Sequence, residues 1–513
     1  MAIRSMWERL MFAPFVLVLT AATAAAQETP FREVLGHVHP SAPAPALTPP
    51  NANVTGVWTT LGYGSPINPV HVALTHDGKI LVISGSGNYP ENHVLSAGVW
   101  DPATQRMTTF VIATDMFCNG MVVLPDGRPF VIGGTLSYKF TGLKSTALFD
   151  QATATFSAGP DMSDGRWYPT GTVLPDGTVM AISGLGTTGV MNKTVEIFDP
   201  VKNIISPAGA AFPDVQFFPR QHVLPSGKVF ESGWNPNTQM WDTSTHVWTP
   251  VAVTQYGKDR TYGTSVLLPL TPANGYKPTV IIMGGGPSSS NITATTETID
   301  LSAPKPAWVW GPNMVAPRIE LNATLLPNGK VIVSGGSSQD EDAAKAVLPA
   351  EMYDPATNAF SPAGTMAFPR LYHSNTILLP DATVLALGGN PIRGAYEGHM
   401  EIYSPPYLYT STGALASRPV IASAPPNIAY GASFALSTTA AATIGSVVVM
   451  RAGAVTHSFN MDQRLVGLSF TAGSGTLTVT APANANLAPP GWYLIFILDT
   501  NGVPSVGKFV KIG

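Results

Sequence analysis

The chain has 513 residues, of which 27 are Lys or Arg and 31 are Asp or Glu, a formal net charge of −4 with only 11% charged residues. Charge this sparse and balanced gives no sign of a polyanion-binding surface, so nucleic acid is not an expected partner. One cysteine, Cys118, excludes any intramolecular disulfide.

At the amino terminus, Arg4 and Arg9 lead into an apolar run over residues 10–22, and Ala24, Ala25 and Ala26 stand before Gln27. This is the layout of a signal peptide over residues 1–26, with cleavage expected after Ala26. A membrane anchor is the alternative, but the run is short for a span of roughly 20 residues, and small residues at its end suit a peptidase. We therefore expect a secreted protein, in the medium, a cell wall or a periplasm, with no membrane span after signal cleavage. A lone thiol in such an oxidising compartment has two readings: a buried small hydrophobe, or a sulfur consumed in some other bond. Residues 27–50, containing HPSAPAPALTPP, read as a Pro/Ala-rich linker.

A repeat begins next. LTHDGKILVISG starts at Leu74, LPDGRPFVIGG at Leu124, LPDGTVMAISG at Leu174, LPSGKVFESG at Leu224, LPNGKVIVSGG at Leu326 and LPDATVLALGG at Leu379. A degenerate seventh copy runs from LLPL at Leu267 to VIIMGGG at Val280. Each copy reads as a strand, a turn that usually carries Gly, and a second apolar strand, which is a hairpin signal. Most are followed by a further strand cue: VWDPAT, LFDQAT, IFDPVK, MWDTST, MYDPAT or IYSPPY. A spacing of about 50 residues is that of kelch blades, so the sequence predicts a seven-bladed kelch-type β-propeller over residues 51–412. The GVWTTL segment around Trp58 is expected to complete the last blade. From Arg418 the repeat gives way to short apolar strands (IGSVVVMRAG, GTLTVTAPA, GWYLIFILDTNG), which predict a C-terminal immunoglobulin-like β-sandwich over residues 413–513. The fold class is all-β.

Residues at one phase of such a repeat occupy equivalent places around the axis. Eight residues before Asp126 stands Cys118, eight before Asp176 stands Tyr168, and eight before Asp381 stands His373, with Tyr372 beside it. Phe218 and Glu320 hold the phase in other copies. Any one of these alone would be read as core packing; the shared phase, together with the sole cysteine, points to a built site. Imidazole and phenolate suit Cu(II), whereas zinc more often recruits thiolate or carboxylate clusters.

The segments DMFCNGMVVLPDG, RWYPTGTVLPDG, RLYHSNTILLPD and VTHSFNMDQR resemble, in order, the motifs of the galactose oxidase and glyoxal oxidase family of copper-radical oxidases. The likeness covers nearly all of the chain after the linker, and RWYP brings it closer to glyoxal oxidase. The resemblance implies one copper ion held by Tyr168, Tyr372, His373 and His457. It implies a self-processed Cys118–Tyr168 thioether as the radical cofactor, and Tyr372 as the acceptor of the substrate's hydroxyl proton. His457 would come from the terminal domain. The implied reaction is two-electron oxidation of a small aldehyde or primary alcohol with reduction of O2 to H2O2, which a peroxide-consuming enzyme would then use.

Two departures bear on substrate. Galactose oxidase places a tryptophan over the radical ring where this chain has LGTTG, with Gly186 nearest that position; Trp167 either covers the Tyr168 ring instead or packs in the core. The galactose-binding pattern is poorly kept, and Arg260 is the one basic residue we assign near substrate. The alternatives are a galactose-oxidase-like carbohydrate oxidase and a non-catalytic kelch adhesion or wall-binding protein, which would not need Cys118, Tyr168, Tyr372 and His457 together. A sialidase-like hydrolase would want repeated Asp boxes, which are absent. Asn53, Asn192, Asn291 and Asn322 begin N-x-T sequons.

Overall fold

The computed structural model describes residues 51–89, 91–213, 216–288 and 291–513. The expected signal peptide (1–26) and linker (27–50) lie outside the described residues. The Leu-Pro-Asp-Gly segments fold as tight turns for reasons written in their residues. The Gly127 amide donates to the Leu124 carbonyl at 2.9 Å, and the Asp126 carboxylate accepts from the Arg128 amide at 3.0 Å. Gly127 takes φ 98°, which a residue with a Cβ resists. The same closure recurs at Gly177, Gly227 and Gly329.

Each turn joins the first two strands of a four-stranded antiparallel meander. The first meander contains His71–Leu74, Ile80–Gly85, Ser96–Asp101 and Arg106–Val111. Five more follow, starting at Gly120–Val123, Thr170–Val173, Gln221–Val223, Thr264–Leu267 and Ile319–Leu325. The seventh uses Ser374–Leu378, Val384–Gly388 and Glu401–Ser404, and takes its outer strand, Val57–Thr60, from the start of the described chain, with Trp58 opposite Tyr403. First strands are buried throughout and outermost strands are largely exposed, as in Thr155–Ala158. First strands of successive meanders touch, and His222 Nε2 to Ser265 Oγ, at 2.7 Å, links the fourth to the fifth.

A buried ion pair ties the segment before the first strand to the third strand in four of the meanders: Arg166 with Glu196, Arg260 with Glu297, Arg318 with Glu351 and Arg370 with Glu401, at 2.6 to 2.8 Å. Breaking one partner of such a pair costs roughly 3–5 kcal/mol because the other charge stays buried.

The last hundred residues are also strands. A five-stranded sheet carries Ile444–Arg451 and Gly491–Asp499 at its centre, and Ser433–Ser437, Phe470–Gly473 and Thr476–Thr480 form a second sheet. The central strands are buried on both faces. Val447, Val449, Ile495 and Ile497 pack with Leu436, Leu477 and Val479 of the second sheet, whereas Val448, Met450, Phe496 and Leu498 pack with Leu325, Leu378 and Leu379 of the sixth and seventh meanders. Period-two alternation puts successive residues on opposite faces, so a strand buried on both reads as one apolar run.

Candidate active site

One backbone feature aims the side chains that meet at the inner ends of the meanders. Cys118, Tyr168, Phe218, Tyr262, Glu320 and His373, at or just before successive first strands, all take positive φ, between 42° and 67°. Non-glycine residues there cost on the order of 1–3 kcal/mol each and concentrate at functional sites. Backbone bonds link neighbours: the Tyr168 amide donates to the Cys118 carbonyl at 3.0 Å, Phe218 to Tyr168 at 3.1 Å, and Glu320 to Tyr262 at 2.7 Å. Cys118 and Tyr168 are thus adjacent residues of two meanders.

The terminal domain supplies a hairpin. Ala454–Thr456 pairs with the first strand His71–Leu74, Thr456 lying opposite His71, and turns back into Phe459–Asn460. The turn is His457-Ser458, with φ 47° and 68°. Two positive φ values are the mark of a two-residue type I′ turn, where Asn-Gly is usual. The strain holds His457 at the tip.

Five side chains converge there. The His457 ring centroid lies 4.7 Å from both Tyr168 and His373 and 5.3 Å from Tyr372, and Phe218 stacks on it at 4.3 Å. The hydroxyls of Tyr168 and Tyr372 are in direct contact. Cys118 Sγ is 4.0 Å from His457 Nε2, and the donor atoms of Cys118, His373 and His457 lie within 4.8 Å of one another. All five residues are at most 8% exposed.

Burial sets their protonation. It holds His373 neutral, with its pKa lowered to about 3, and keeps His457 neutral, with the His373 and His71 rings acting the same way. It pushes Tyr372 well above the usual phenol range, and the Cys118 thiol likewise, with Asp115 adding to the latter. Among the described residues neither nitrogen of His373 has a partner in good hydrogen-bonding geometry, although the nearby Asn390 side chain favours the protonated ring and so opposes the effect of burial. Thr456 Oγ1 sits 2.5 Å from His457 Nδ1 and 3.2 Å from the Val70 carbonyl. With the hydroxyl donating to that carbonyl, it must accept from Nδ1–H, which leaves the Nε2 lone pair free. Two neutral imidazoles with free lone pairs beside two phenols form a donor set that fits Cu(II).

Trp167 meets the Tyr168 ring edge-on, with centroids 4.0 Å apart at 84°, and also touches Phe140 and Phe217. It therefore does not lie flat over the ring. At Gly186 a Cβ would fall 2.2 Å from Asp164 Oδ2, and that carboxylate is bound by the amides of Gly165 and Thr187, so the place of the absent aromatic is closed. Arg260 requires correction. It is buried and committed to Glu297, Thr295 and the Gly284 carbonyl, the fifth meander's copy of the recurring structural arginine, rather than a group facing substrate. The cavity beside Tyr168 and His457 is walled instead by Phe217, Phe218, Trp234, Tyr262 and Arg220. Tyr262 was legible: it stands eight residues before Leu270, which follows Leu268-Pro269, but the missing Asp-Gly hid the phase. Nothing in the sequence singled out Thr456.

The glyoxal oxidase N-terminus family matches residues 91–407, more than half of the chain, and the galactose oxidase-like early set domain matches residues 418–512. Galactose oxidase of Gibberella zeae is 28% identical over 494 residues, covering 87% of this chain and 69% of its own. Aldehyde oxidase GLOX of Vitis pseudoreticulata is 28% identical over 534 residues, covering 90% and 98%. Among solved structures, a fungal alcohol oxidase of the AA5 family, in complex with copper, superposes with a TM-score of 0.79 at 26% identity, over 89% of this chain and 99% of that one. The chain belongs to the glyoxal oxidase family.

Proposed function

We propose that this protein is a secreted mononuclear copper-radical oxidase of small aldehydes or primary alcohols. The meeting of Tyr168, Tyr372, His373, His457 and Cys118 in one buried cluster carries the reading, and the family's named oxidases support it. Tyr168, Tyr372, His373 and His457 would hold copper, with Cys118 joined to the Tyr168 ring by a self-formed thioether. On this reading the seven meanders are blades of a kelch-type propeller (51–412). Residues 413–513 are then an immunoglobulin-like sandwich whose hairpin brings His457 into the site. Residues 1–26 are a cleaved signal peptide and 27–50 a linker.

Oxidising an alcohol or hydrated aldehyde removes two electrons, of which bound copper supplies acceptance of one and the sulfur-substituted Tyr168 ring of the other. The protein's part is binding and orientation. His373 and His457 present lone pairs without first losing a proton, because burial already holds them neutral. Tyr372 is protonated in the metal-free protein and becomes a base only when a cation offsets its charge. It would then take the substrate's hydroxyl proton at its phenol oxygen, and Tyr168 would take the carbon-bound hydrogen. Phe217, Phe218 and Trp234 exclude water from that place and offer a small apolar wall. The polar groups in that wall are Arg220, which already donates to the Gly233 and Arg260 carbonyls, and Tyr262, so a polyol such as galactose is less well served there than a simple substrate. The balance is RCH(OH)2 + O2 → RCOOH + H2O2, or RCH2OH + O2 → RCHO + H2O2, so a peroxide-consuming enzyme is a natural partner.

The test is peptide mapping of mature protein loaded with copper in air, alongside peroxide release from glyoxal-type aldehydes, primary alcohols and galactose. A Cys118–Tyr168 pair lacking two hydrogens, with peroxide formed from small substrates and lost in Cys118→Ser, is the expected result. A free thiol and an unmodified Tyr168 beside tightly bound copper would refute the reading and leave a binding role.

A further inference from the structure

One imidazole near this cluster has no part in the proposed ligand set. His71 is the first residue of the innermost strand of the first meander, directly opposite Thr456. It is fully buried, and neither ring nitrogen has a hydrogen-bond partner among the described residues. Buried polar groups are rarely left this way, since an unpaired one costs about 1–3 kcal/mol. Its ring lies 5.7 Å from that of His457 and within electrostatic reach of His373. The backbone just before it is held firmly, because the Asn375 amide donates to the carbonyls of Pro69 and Val70 at 2.6 and 3.2 Å.

We propose that His71 is a copper ligand of the unprocessed protein, binding the ion together with Cys118, His373 and His457 before the sulfur is joined to Tyr168. The inference rests on the copper-radical reading above. Three observations carry it. Cys118 Sγ and His457 Nε2 are 4.0 Å apart, close to the sum of two metal–ligand bonds of about 2.0–2.3 Å each, so one ion fits between them. A thiol with imidazoles is a set that selects Cu(I), whereas the two phenols suit Cu(II). Among the described residues, the imidazoles with unpaired buried nitrogens are His373 and His71; His71 stands on the strand to which the His457 hairpin is paired, with its nitrogens outside the set of donor atoms that lie within 4.8 Å of one another, so its ring would have to turn toward the ion.

Cross-linking then changes the site. The Cys118 S–H and one Tyr168 ring C–H are lost and a C–S bond forms. The two electrons and two protons released reduce O2 to H2O2. A thioether sulfur is a poorer ligand than a thiolate, so Tyr168, Tyr372, His373 and His457 would become the preferred donors and His71 would be released. His71 thus serves the making of the cofactor and not the turnover of substrate.

The experiment uses the chain produced without copper, titrated anaerobically with Cu(I) against a chromophoric chelator and then exposed to air. His71→Phe keeps the ring volume. We expect it to weaken Cu(I) binding about 10-fold or more and to slow the loss of two hydrogens from the Cys118 and Tyr168 peptides. Protein that has completed the cross-link should bind Cu(II) as the wild type does. Unchanged Cu(I) affinity and unchanged cross-linking in the variant overturn the proposal. Should His71→Phe not fold, X-ray absorption of the wild-type Cu(I) protein decides: a sulfur with three imidazoles supports His71 as a ligand, and a sulfur with two overturns it. Wild-type protein that binds no copper and never loses the two hydrogens overturns the copper-radical reading as well, a different outcome from failure of His71 alone.

Discussion

Replacing Thr456 by valine removes a single oxygen from the neighbourhood of the proposed copper site while keeping the branched shape. Two contacts are lost, Oγ1 to His457 Nδ1 at 2.5 Å and Oγ1 to the Val70 carbonyl at 3.2 Å. The second loss is mild, because the Asn375 amide still donates to Val70. The first leaves a fully buried ring N–H without an acceptor, a cost of about 1–3 kcal/mol. That cost is relieved if the ring turns or the proton moves to Nε2, the atom a metal would use. Orienting partners of metal-bound histidines are typically worth 10–100-fold in affinity. For Thr456→Val we therefore expect copper affinity, measured by chelator competition on cross-linked protein, to fall about 10–100-fold. Urea unfolding of the metal-free protein should show a loss of about 1–3 kcal/mol, and Thr456→Ser should restore most of the affinity. Wild-type affinity in a folded Thr456→Val protein would refute Thr456 as the orienting partner.

Further outcomes follow from the same geometry. Arg260→Ala should lower stability by roughly 3–5 kcal/mol, since Glu297 is left as an unpaired buried charge; a normally stable variant with only a raised KM would restore the sequence assignment of Arg260 to substrate. Gly186→Trp should destabilise by at least about 1–3 kcal/mol, read as a lowered Tm, because Asp164 already fills the space; a stable variant with improved galactose turnover would show that the place is open after all. His222 and His373, each with a pKa lowered to about 3 by burial, are neutral when folded but titrate near 6.5 when unfolded. The unfolded chain therefore binds more protons between those values. Their stabilisation is complete above pH 6.5 and is lost as pH falls toward about 3, by up to about 1.4 kcal/mol per pH unit each. Denaturation of metal-free protein at a series of pH values should show this slope, and His222→Gln should reduce it; a flat profile would mean these rings are not held neutral.

Much of the candidate site, as a set of side chains that meet in space, was legible because the fold repeats. Turn chemistry at Leu124, Leu174 and Leu379 locates the hairpins from local residues alone, and counting back eight positions finds Cys118, Tyr168 and His373 without a structure, since a fixed period carries residues of one phase to equivalent places. Tyr262 escaped only because its copy lost the Asp-Gly turn. Arg260 was misassigned for a complementary reason. A lone arginine in a sequence looks unpaired, and its partner Glu297, 37 positions on, is adjacent only through strand order.

What the chain alone determined is therefore everything that depends on short-range residue chemistry and its recurrence: the all-β class, the meander period, and the set of side chains at the shared phase. Tertiary structure decided what depends on distant segments meeting. It set Val57–Thr60 against Glu401–Ser404, placed His457 beside His373 by pairing Ala454–Thr456 with the strand of His71, and turned Thr456 toward Nδ1 of its neighbour. No periodicity encodes these contacts, because they arise when two hydrophobic layers pack and hydrogen-bonding edges find partners far away in sequence.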